Sequence, residues 1–140
     1  MQIIQIVQRL LSHLRRLLGA CNRIMTVKLY SFCLSPPARL AHLVAELSGV
    51  EYEKVEVDLS KAEQFSSEFV AVNPLHQVPV LEDHGRNMAQ SREICKHLMD
   101  EHSTSPANDH WYPAEPAQRE EVDAWMEWSR PCTGHWGRLW

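Results

Sequence analysis

Residues 73–83 read Asn73-Pro74-Leu75-His76-Gln77-Val78-Pro79-Val80-Leu81-Glu82-Asp83, and the order of residue types in this stretch decides the fold. Two prolines flank a polar loop, and the second stands directly before an apolar run of strand type. A proline at such a junction fixes a turn and is a natural place for a cis peptide bond. The backbone N–H and C=O of Val78 would then lie at the strand end, where another extended chain such as a tripeptide can pair with them. A plain loop-to-strand turn satisfies the same pattern.

Downstream, Asp83-His84-Gly85-Arg86 is a hairpin signal between strands predicted at Val78–Glu82 and Asn87–Ala89. Gln90-Ser91 follow at the start of a helix predicted over Ser91–Glu101, with Ile94, Leu98 and Cys95 facing in. Ser91 is a good N-cap residue, and the first-turn N–H groups beside it suit a carboxylate; ordinary capping is the alternative. One hairpin brings Val78-Pro79 and Gln90-Ser91 to the same end of a sheet.

Upstream, Val27–Ser31 and Tyr52–Val57 read as strands. Pro37–Ser48 reads as a helix with Leu40, Leu43, Val44 and Leu47 on one face and Gly49 as its stop. Lys61–Val72 has Phe65, Phe69 and Val72 at helical spacing. The resulting order, β-α-β-α-β-β-α, is an α/β layer ending in an edge hairpin. Residues 103–117 form a proline-rich linker, and residues 118–140 open a further helix, with Val122, Trp125 and Met126 placed on one side.

A third polar cluster precedes the first helix: Ser35-Pro36-Pro37-Ala38-Arg39. Ser35 stands at the N-cap, and two prolines remove two amide donors, so Ala38 offers the first N–H to the cap. The Ser35 hydroxyl is expected to accept that bond while its proton points outward. A thiolate there would gain a hydrogen bond and a favourable helix N-terminus, which lowers its pKa and makes it a nucleophile. Simple capping explains the same residues.

The chain's 140 residues, 44% hydrophobic and 23% charged, suffice for one well-cored domain. A net charge of −4 excludes a general nucleic-acid binder. The four cysteines, at 21, 33, 95 and 132, form no CxxC pair and read as thiols of a reducing compartment. Cys95/His97 and Cys132/His135 lack a second matched pair, so no metal site is expected. The first acidic residue is Glu46, whereas Arg9, Arg15, Arg16 and Arg23 fall in the first 24 residues. Residues 1–24 therefore read as an amphipathic basic extension, too interrupted to span a bilayer. A transit peptide, a surface-lying membrane helix and an extra exon remain open for it, with Met25 opening the domain proper.

Taken together, Leu29-Tyr30, Ser35, Pro37, Arg39, Val57-Asp58-Leu59, Asn73-Pro74-Leu75, Val78-Pro79 and Gln90-Ser91 resemble the N-terminal domain of glutathione S-transferases. The Leu29–Arg39 block is most similar to the theta class and its delta-like relatives. Trp111-Tyr112-Pro113 and Arg119, Val122-Asp123, Trp125 and Trp128 extend the resemblance into the first helix of the second domain.

The resemblance implies a thioredoxin-like glutathione-binding domain over residues 25–102, followed by a fragment of an all-helical domain. It implies that Ser35 activates the glutathione thiol and that Val78, before a cis Pro79, pairs with the cysteinyl backbone. Gln90 and Ser91 would hold the γ-glutamyl end, and Gln64 and Gln77 the glycyl end. Gln90 stands where many theta proteins carry Glu. The partners implied are glutathione, as substrate with no cofactor, small electrophiles and a second copy of the chain. The default compartment is the cytoplasm, with the mitochondrion as alternative and any membrane contact confined to residues 1–24. Two other readings stay open: a non-catalytic glutathione-binding or protein-interaction module, and thiol–disulfide chemistry at Cys33. Tyr30 reads as a packing residue, and Asp123 as a stabiliser of the start of the following helix or of nearby side chains.

Overall fold

The structure, a computed structural model, describes residues 27–103 and 110–129. The extension over residues 1–24, Cys21, Cys132 and His135 lie outside the described residues. Four strands form one mixed sheet: β1 (Val27–Ser31), β2 (Tyr52–Glu56), β3 (Val80–Asp83) and β4 (Arg86–Ala89). Their spatial order is β2-β1-β3-β4. β2 runs parallel to β1, whereas β3 is antiparallel to both of its neighbours. Helix α1 (Pro36–Ser48) makes the crossover from β1 to β2, and α2 (Ser67–Val72) lies on the connection to β3. Helix α3 (Ser91–His97) passes into a π-helical turn, Leu98–His102, and α4 (Pro116–Trp128) follows the linker. This is the expected β-α-β-α-β-β-α thioredoxin-like order plus a partial helical region. Among the described residues no helix is long and apolar enough to cross a membrane.

Alternation along the strands assigns the two faces of the sheet. Val27, Leu29 and Leu81 point toward α1 and α3, where they pack with Ala41, Ala45, Ile94 and Leu98. Val80 points to the other face and joins Val57 and Phe69 of the α2 side, with Tyr30 packed against them. The Tyr30 ring meets Phe69 edge-on at 6.1 Å, and its hydroxyl donates to Glu82 Oε2 at 3.0 Å. Burial, helped by that bond, pushes the phenol up to about 12. The packing role expected for Tyr30 is the observed one.

The buried face of α1 differs from expectation. Ala38, Ala41, Ala45 and Ser48 face the core, while Leu40 and Leu43 are exposed. Small residues at this spacing let the helix axis approach the sheet and α3 closely, so volume rather than hydrophobicity selects the face. The Lys61–Val72 segment is also not one helix. Two 3₁₀ turns, Leu59–Lys61 and Glu63–Phe65, are separated by Ala62 in the left-handed region. The α-helix begins only after Ser66, whose side chain accepts from Phe69 N–H. Phe65 consequently faces outward against His76, at 5.0 Å between rings. Val78, placed at the start of a strand by the sequence, precedes β3 by two residues. The hairpin turn is made by His84 and Gly85, both at positive φ (51° and 76°), as a two-residue turn of the primed type requires.

A polar chain ties α1 to the parallel strands. His42 Nε2 lies 2.8 Å from the buried Ser31 Oγ, and His42 Nδ1 lies 3.0 Å from Tyr52 Oη. Tyr52 donates its single proton to Glu46 Oε1 at 2.8 Å. It must therefore accept from His42 Nδ1–H, which leaves Nε2 to accept from the Ser31 hydroxyl. Burial lowers the His42 pKa, consistent with this neutral ring.

At the far end of β3, Asp83 is only 4% exposed. Its Oδ2 accepts from His97 Nε2 at 2.7 Å and His102 Nε2 at 2.8 Å, and its Oδ1 accepts from His84 Nδ1 at 2.6 Å. Burial alone would raise the carboxyl. The bonds from His97 and His102 and the charge of His102 and His84 outweigh it and hold the group at about 2.

Helix α4 starts at Pro116, two residues before the expected Gln118, because Glu115 caps it by accepting from Gln118 N–H at 2.8 Å. None of its side chains is buried. Polar pairs hold it instead: Arg92 to Glu127 at 2.6 Å, Lys96 to Asp123 at 2.8 Å, and Arg119 to Asp100 at 2.7 Å. Tyr112 also donates to Asp123, so Asp123 serves nearby side chains as expected. Val122 and Met126 turn toward Val44, Leu47, Met99 and Tyr112. Trp125 does not join them: it is 62% exposed and meets the exposed Trp128 edge-on. Helical geometry explains this, since residues 122 and 126 differ by about 40° around the axis and 125 and 126 by about 100°.

Two stability measurements follow. Ala41→Leu should overpack the α1 interface and cost about 1–3 kcal/mol in urea unfolding, whereas Leu43→Ala should change stability by no more than about 0.5 kcal/mol. A larger loss at Leu43 would restore the face read from hydrophobicity. For Asp83 the folded pKa lies below its ordinary 3.8, so its contribution is present above that value and is lost as pH falls toward 2. Relative to Asp83→Asn, the parent chain should be more stable by roughly 2 kcal/mol at neutral pH. Chemical unfolding from pH 5 to pH 2 should show that advantage vanish.

Candidate functional site

The register of the sheet assembles the candidate residues. Tyr30 pairs with Val80 and Val80 with Ala89, so one cross-sheet row runs from β1 through β3 to β4. β1 and β4 leave this row in one direction, and β3 enters from the same side. Ser31, Pro79 and Gln90 each stand one residue beyond the row. With strands about 4.8 Å apart, Pro79 lies between the other two at neighbouring-strand distance from each. Ser35, Val78-Pro79 and Gln90-Ser91 are thus brought to one end of the sheet.

The Val78–Pro79 peptide bond is cis, as the sequence suggested. Pro79 is buried and Val78 half-buried. Among the described residues, no loop or cap hydrogen bond uses the N–H or C=O of Val78. The preceding loop is held by Asn73, whose Nδ2 donates to the carbonyl of Gln77 at 2.8 Å while Oδ1 accepts from Leu75 N–H. The Gln77 side chain is exposed. His76 has φ 57° and places its Nδ1 3.1 Å from the carbonyl of Gln64. The sequence reading singled out neither Asn73's bracing role nor His76; the Asn-Pro pair at a turn was the available signal for the former.

Gln64 is 7% exposed, and its Oε1 has no hydrogen-bond partner. A buried amide oxygen left unpaired costs about 1–3 kcal/mol. Gln64 and Gln77 flank the loop that runs into Val78, one buried and one open.

Ser35 occupies the N-cap position of α1 with extended backbone (φ −81°, ψ 114°), followed by Pro36 and Pro37 in the first helical turn. Its carbonyl accepts from Arg39 N–H at 3.0 Å and its N–H donates to Phe32 at 2.9 Å. The expected bond from Ala38 N–H to the hydroxyl is not made: Ser35 forms no side-chain cap. With two prolines removing the first donors, the backbone carbonyl begins the helix alone, and Oγ is left uncommitted to the backbone. The loop is pinned to β2 through Cys33 N–H, which donates to Glu56 Oε1 at 3.2 Å. Cys33 is exposed, whereas Cys95 is buried and its thiol pushed up to about 12 by that burial.

At β4, the cap differs by one residue from expectation. Gln90, not Ser91, is the N-cap of α3, and its carbonyl accepts from Ile94 N–H at 3.1 Å. Its φ of 76° and ψ of 109° lie where side-chain-bearing residues are rare. Such a conformation costs on the order of 1–3 kcal/mol and is kept where it aims a group usefully. Gln90 is exposed, and Ser91 opens the helix half-buried.

Residues 25–100, over half of the chain, match the model of the family described as "Glutathione S-transferase, N-terminal domain". Glutathione S-transferase theta-3 of Mus musculus is 33% identical over 104 residues, 74% of this chain and 42% of that protein. Protein LigF of Sphingobium sp. (strain NBRC 103272 / SYK-6) is 41% identical over 106 residues, 74% of this chain and 40% of it. The crystal structure of human glutathione transferase theta-2, in complex with glutathione and an unknown ligand, superposes with a TM-score of 0.70. It is 30% identical, over 76% of this chain and 42% of that one. The chain thus spans about two fifths of the length of the curated relatives it matches. Through its N-terminal domain, and with its theta-class relatives, the chain belongs to the glutathione S-transferase family.

Proposed function

We propose that residues 25–102 form a glutathione-binding domain and that the chain serves glutathione transfer to small electrophiles through a serine-stabilised thiolate. The observation that carries this reading is the row Tyr30–Val80–Ala89, which gathers Ser35, Val78-Pro79 and Gln90-Ser91 at one end of the sheet. The family match and the bound glutathione of the human theta-2 relative support it.

In this mechanism the N–H and C=O of Val78 pair with the cysteinyl backbone of glutathione, as an added strand would. Gln90 accepts from the γ-glutamyl ammonium, and Ser91 donates to its carboxylate. Gln90 carries no charge, so this contact relies on its carbonyl dipole. Gln64 and Gln77 hold the glycyl end by donating from their side-chain amides to its carboxylate, and the unpaired Gln64 Oε1 accepts from the glycyl N–H. Ser35 Oγ–H donates to the cysteinyl sulfur. The thiol proton leaves to solvent, the thiolate attacks the electrophilic carbon, and the leaving group departs with its electron pair. A hydrogen bond to a charged sulfur favours the ionised form, which is how the serine lowers the thiol pKa. Tyr30 is unsuited to that task, because its proton is given to Glu82. A homodimer and a cytoplasmic setting complete the proposal.

A second reading, a non-catalytic glutathione-binding or interaction module, draws on the Trp125–Trp128 pair, exposed on a helix with no buried side chain. Such an apolar surface suits a macromolecular partner.

Calorimetric titration of reduced glutathione into the chain tests the site. We expect weak binding that Ser91→Ala weakens about tenfold, the equivalent of roughly 1.4 kcal/mol. Ser35→Ala should leave affinity within a few-fold yet raise the bound thiol's pKa by about one unit, read from thiolate absorbance against pH. A folded chain that binds no glutathione would remove the transferase reading. Unchanged thiol titration in Ser35→Ala would remove the serine's role alone.

A further inference from the structure

The Asp83–His97–His102 cluster plays no part in the proposed glutathione chemistry. Three strand positions separate Asp83 from Val80, so the cluster lies about 10 Å along β3 from the row that gathers the glutathione residues. We infer that Asp83, His97 and His102 form a site for one divalent transition-metal ion of the zinc type, closed by a water.

The geometry gathers three metal-type donor groups around one point. Two imidazole Nε2 atoms address the same carboxylate oxygen, at 2.7 and 2.8 Å. One donor atom from each of the three residues lies within 4.8 Å of the others. The backbone arranges this specifically. In an α-helix, residues five apart point about 140° away from each other. The π-helical turn over Leu98–His102, an i→i+5 form that is rare and frequent at functional sites, returns His102 to the side of His97. Their rings meet edge-on at 5.7 Å, with planes 69° apart.

Two neutral imidazoles and one carboxylate are the donor set of an open zinc site, with bonds of about 2.0–2.2 Å. Tetrahedral bonds of that length place donor atoms about 3.3 Å apart, so each hydrogen-bonded contact opens by roughly half an ångström. The histidine side chains, 21% and 17% exposed, have room for that shift and for a water in the fourth position. On binding, each neutral ring moves its proton from Nε2 to Nδ1 through solvent and presents the Nε2 lone pair. A ring that begins as imidazolium releases one proton. Asp83 is already ionised, and His84, donating to Oδ1, holds the oxygen that the metal does not take. Hard ions such as magnesium, which prefer six oxygens, fit poorly.

Cys–His spacing could not announce this site. Its carboxylate comes from the strand end, and its histidines share a side only because the helix widens between them.

The test is a titration of Zn²⁺ into the untagged full chain, stripped with chelator and held under reducing conditions at neutral pH. We expect one Zn²⁺ per chain with micromolar or tighter affinity, a rise in the thermal midpoint, and weaker binding on acidification. His97→Gln and His102→Gln should each weaken binding at least tenfold, and Co²⁺ should broaden the imidazole NMR signals of both residues in the parent chain. Asp83→Asn should do the same, with the histidine variants standing in if it fails to fold. No uptake, uptake unaltered in both histidine variants, or broadening at other residues would overturn the site. The cluster would then be a hydrogen-bonded clamp alone. Glutathione affinity is read separately, so failure here leaves the transferase reading intact.

Discussion

The structure turns on Val80. This residue is paired on one side with Tyr30 and on the other with Ala89, and it is almost fully buried. Because β3 runs against both neighbours, the entry to β3 and the exits of β1 and β4 meet at one sheet end. The segments that carry Ser35, Val78-Pro79 and Gln90-Ser91 all pass just beyond that row. A one-residue slip of β3 would turn Val80 and Leu81 to the wrong faces. It would also carry Pro79 away from the level of Ser31 and Gln90. Core packing and site geometry are therefore one constraint, enforced by side chains on opposite faces of the sheet.

Much of this was legible in the sequence, for identifiable reasons. The Pro79 junction, the Gly85 turn and the Ser35-Pro36-Pro37 start are local signals, and local signals survive folding. Tyr30 and Asp123 took the roles their surroundings suggested. The errors cluster where tertiary volume decides. Hydrophobicity pointed to Leu40, Leu43, Val44 and Leu47 as the inner face of α1, but the residues buried beside the sheet are Ala38, Ala41, Ala45 and Ser48. Of the expected four, Val44 packs against the core while Leu40 and Leu43 are exposed. Phe65 looked like a core residue until Ala62 reversed the backbone and turned it outward. The cap shift from Ser91 to Gln90 arises from a positive φ that a glutamine gives no warning of.

The polar interior shows the same division. The Ser31–His42–Tyr52–Glu46 chain and the Asp83 cluster depend on residues far apart in sequence, joined only by the fold. In the first the protons run in one consistent direction, and in the second three imidazoles converge on one carboxylate. Each also fastens a helix to a strand: α1 to β1 and β2 in the first case, the end of α3 to β3 in the second. Apolar packing sets how near the helices lie, and these chains set where along the strand they stop. Gln64 Oε1 is the exception, a buried acceptor without a donor, and it sits beside the loop that leads into Pro79.

Helix α4 is fastened by different means from the rest. The sheet and its flanking helices adhere through buried carbon, whereas α4 holds to α3 and the π turn through Arg92–Glu127, Lys96–Asp123 and Arg119–Asp100. Electrolyte weakens attraction between exposed charges over about a Debye length and leaves apolar adhesion largely untouched. Ionic strength therefore acts more on the seat of α4 than on the sheet. In dilute buffer the helix is drawn down firmly; in brine its grip slackens more than that of the buried core. The described chain is a close-packed platform with an electrically fastened arm.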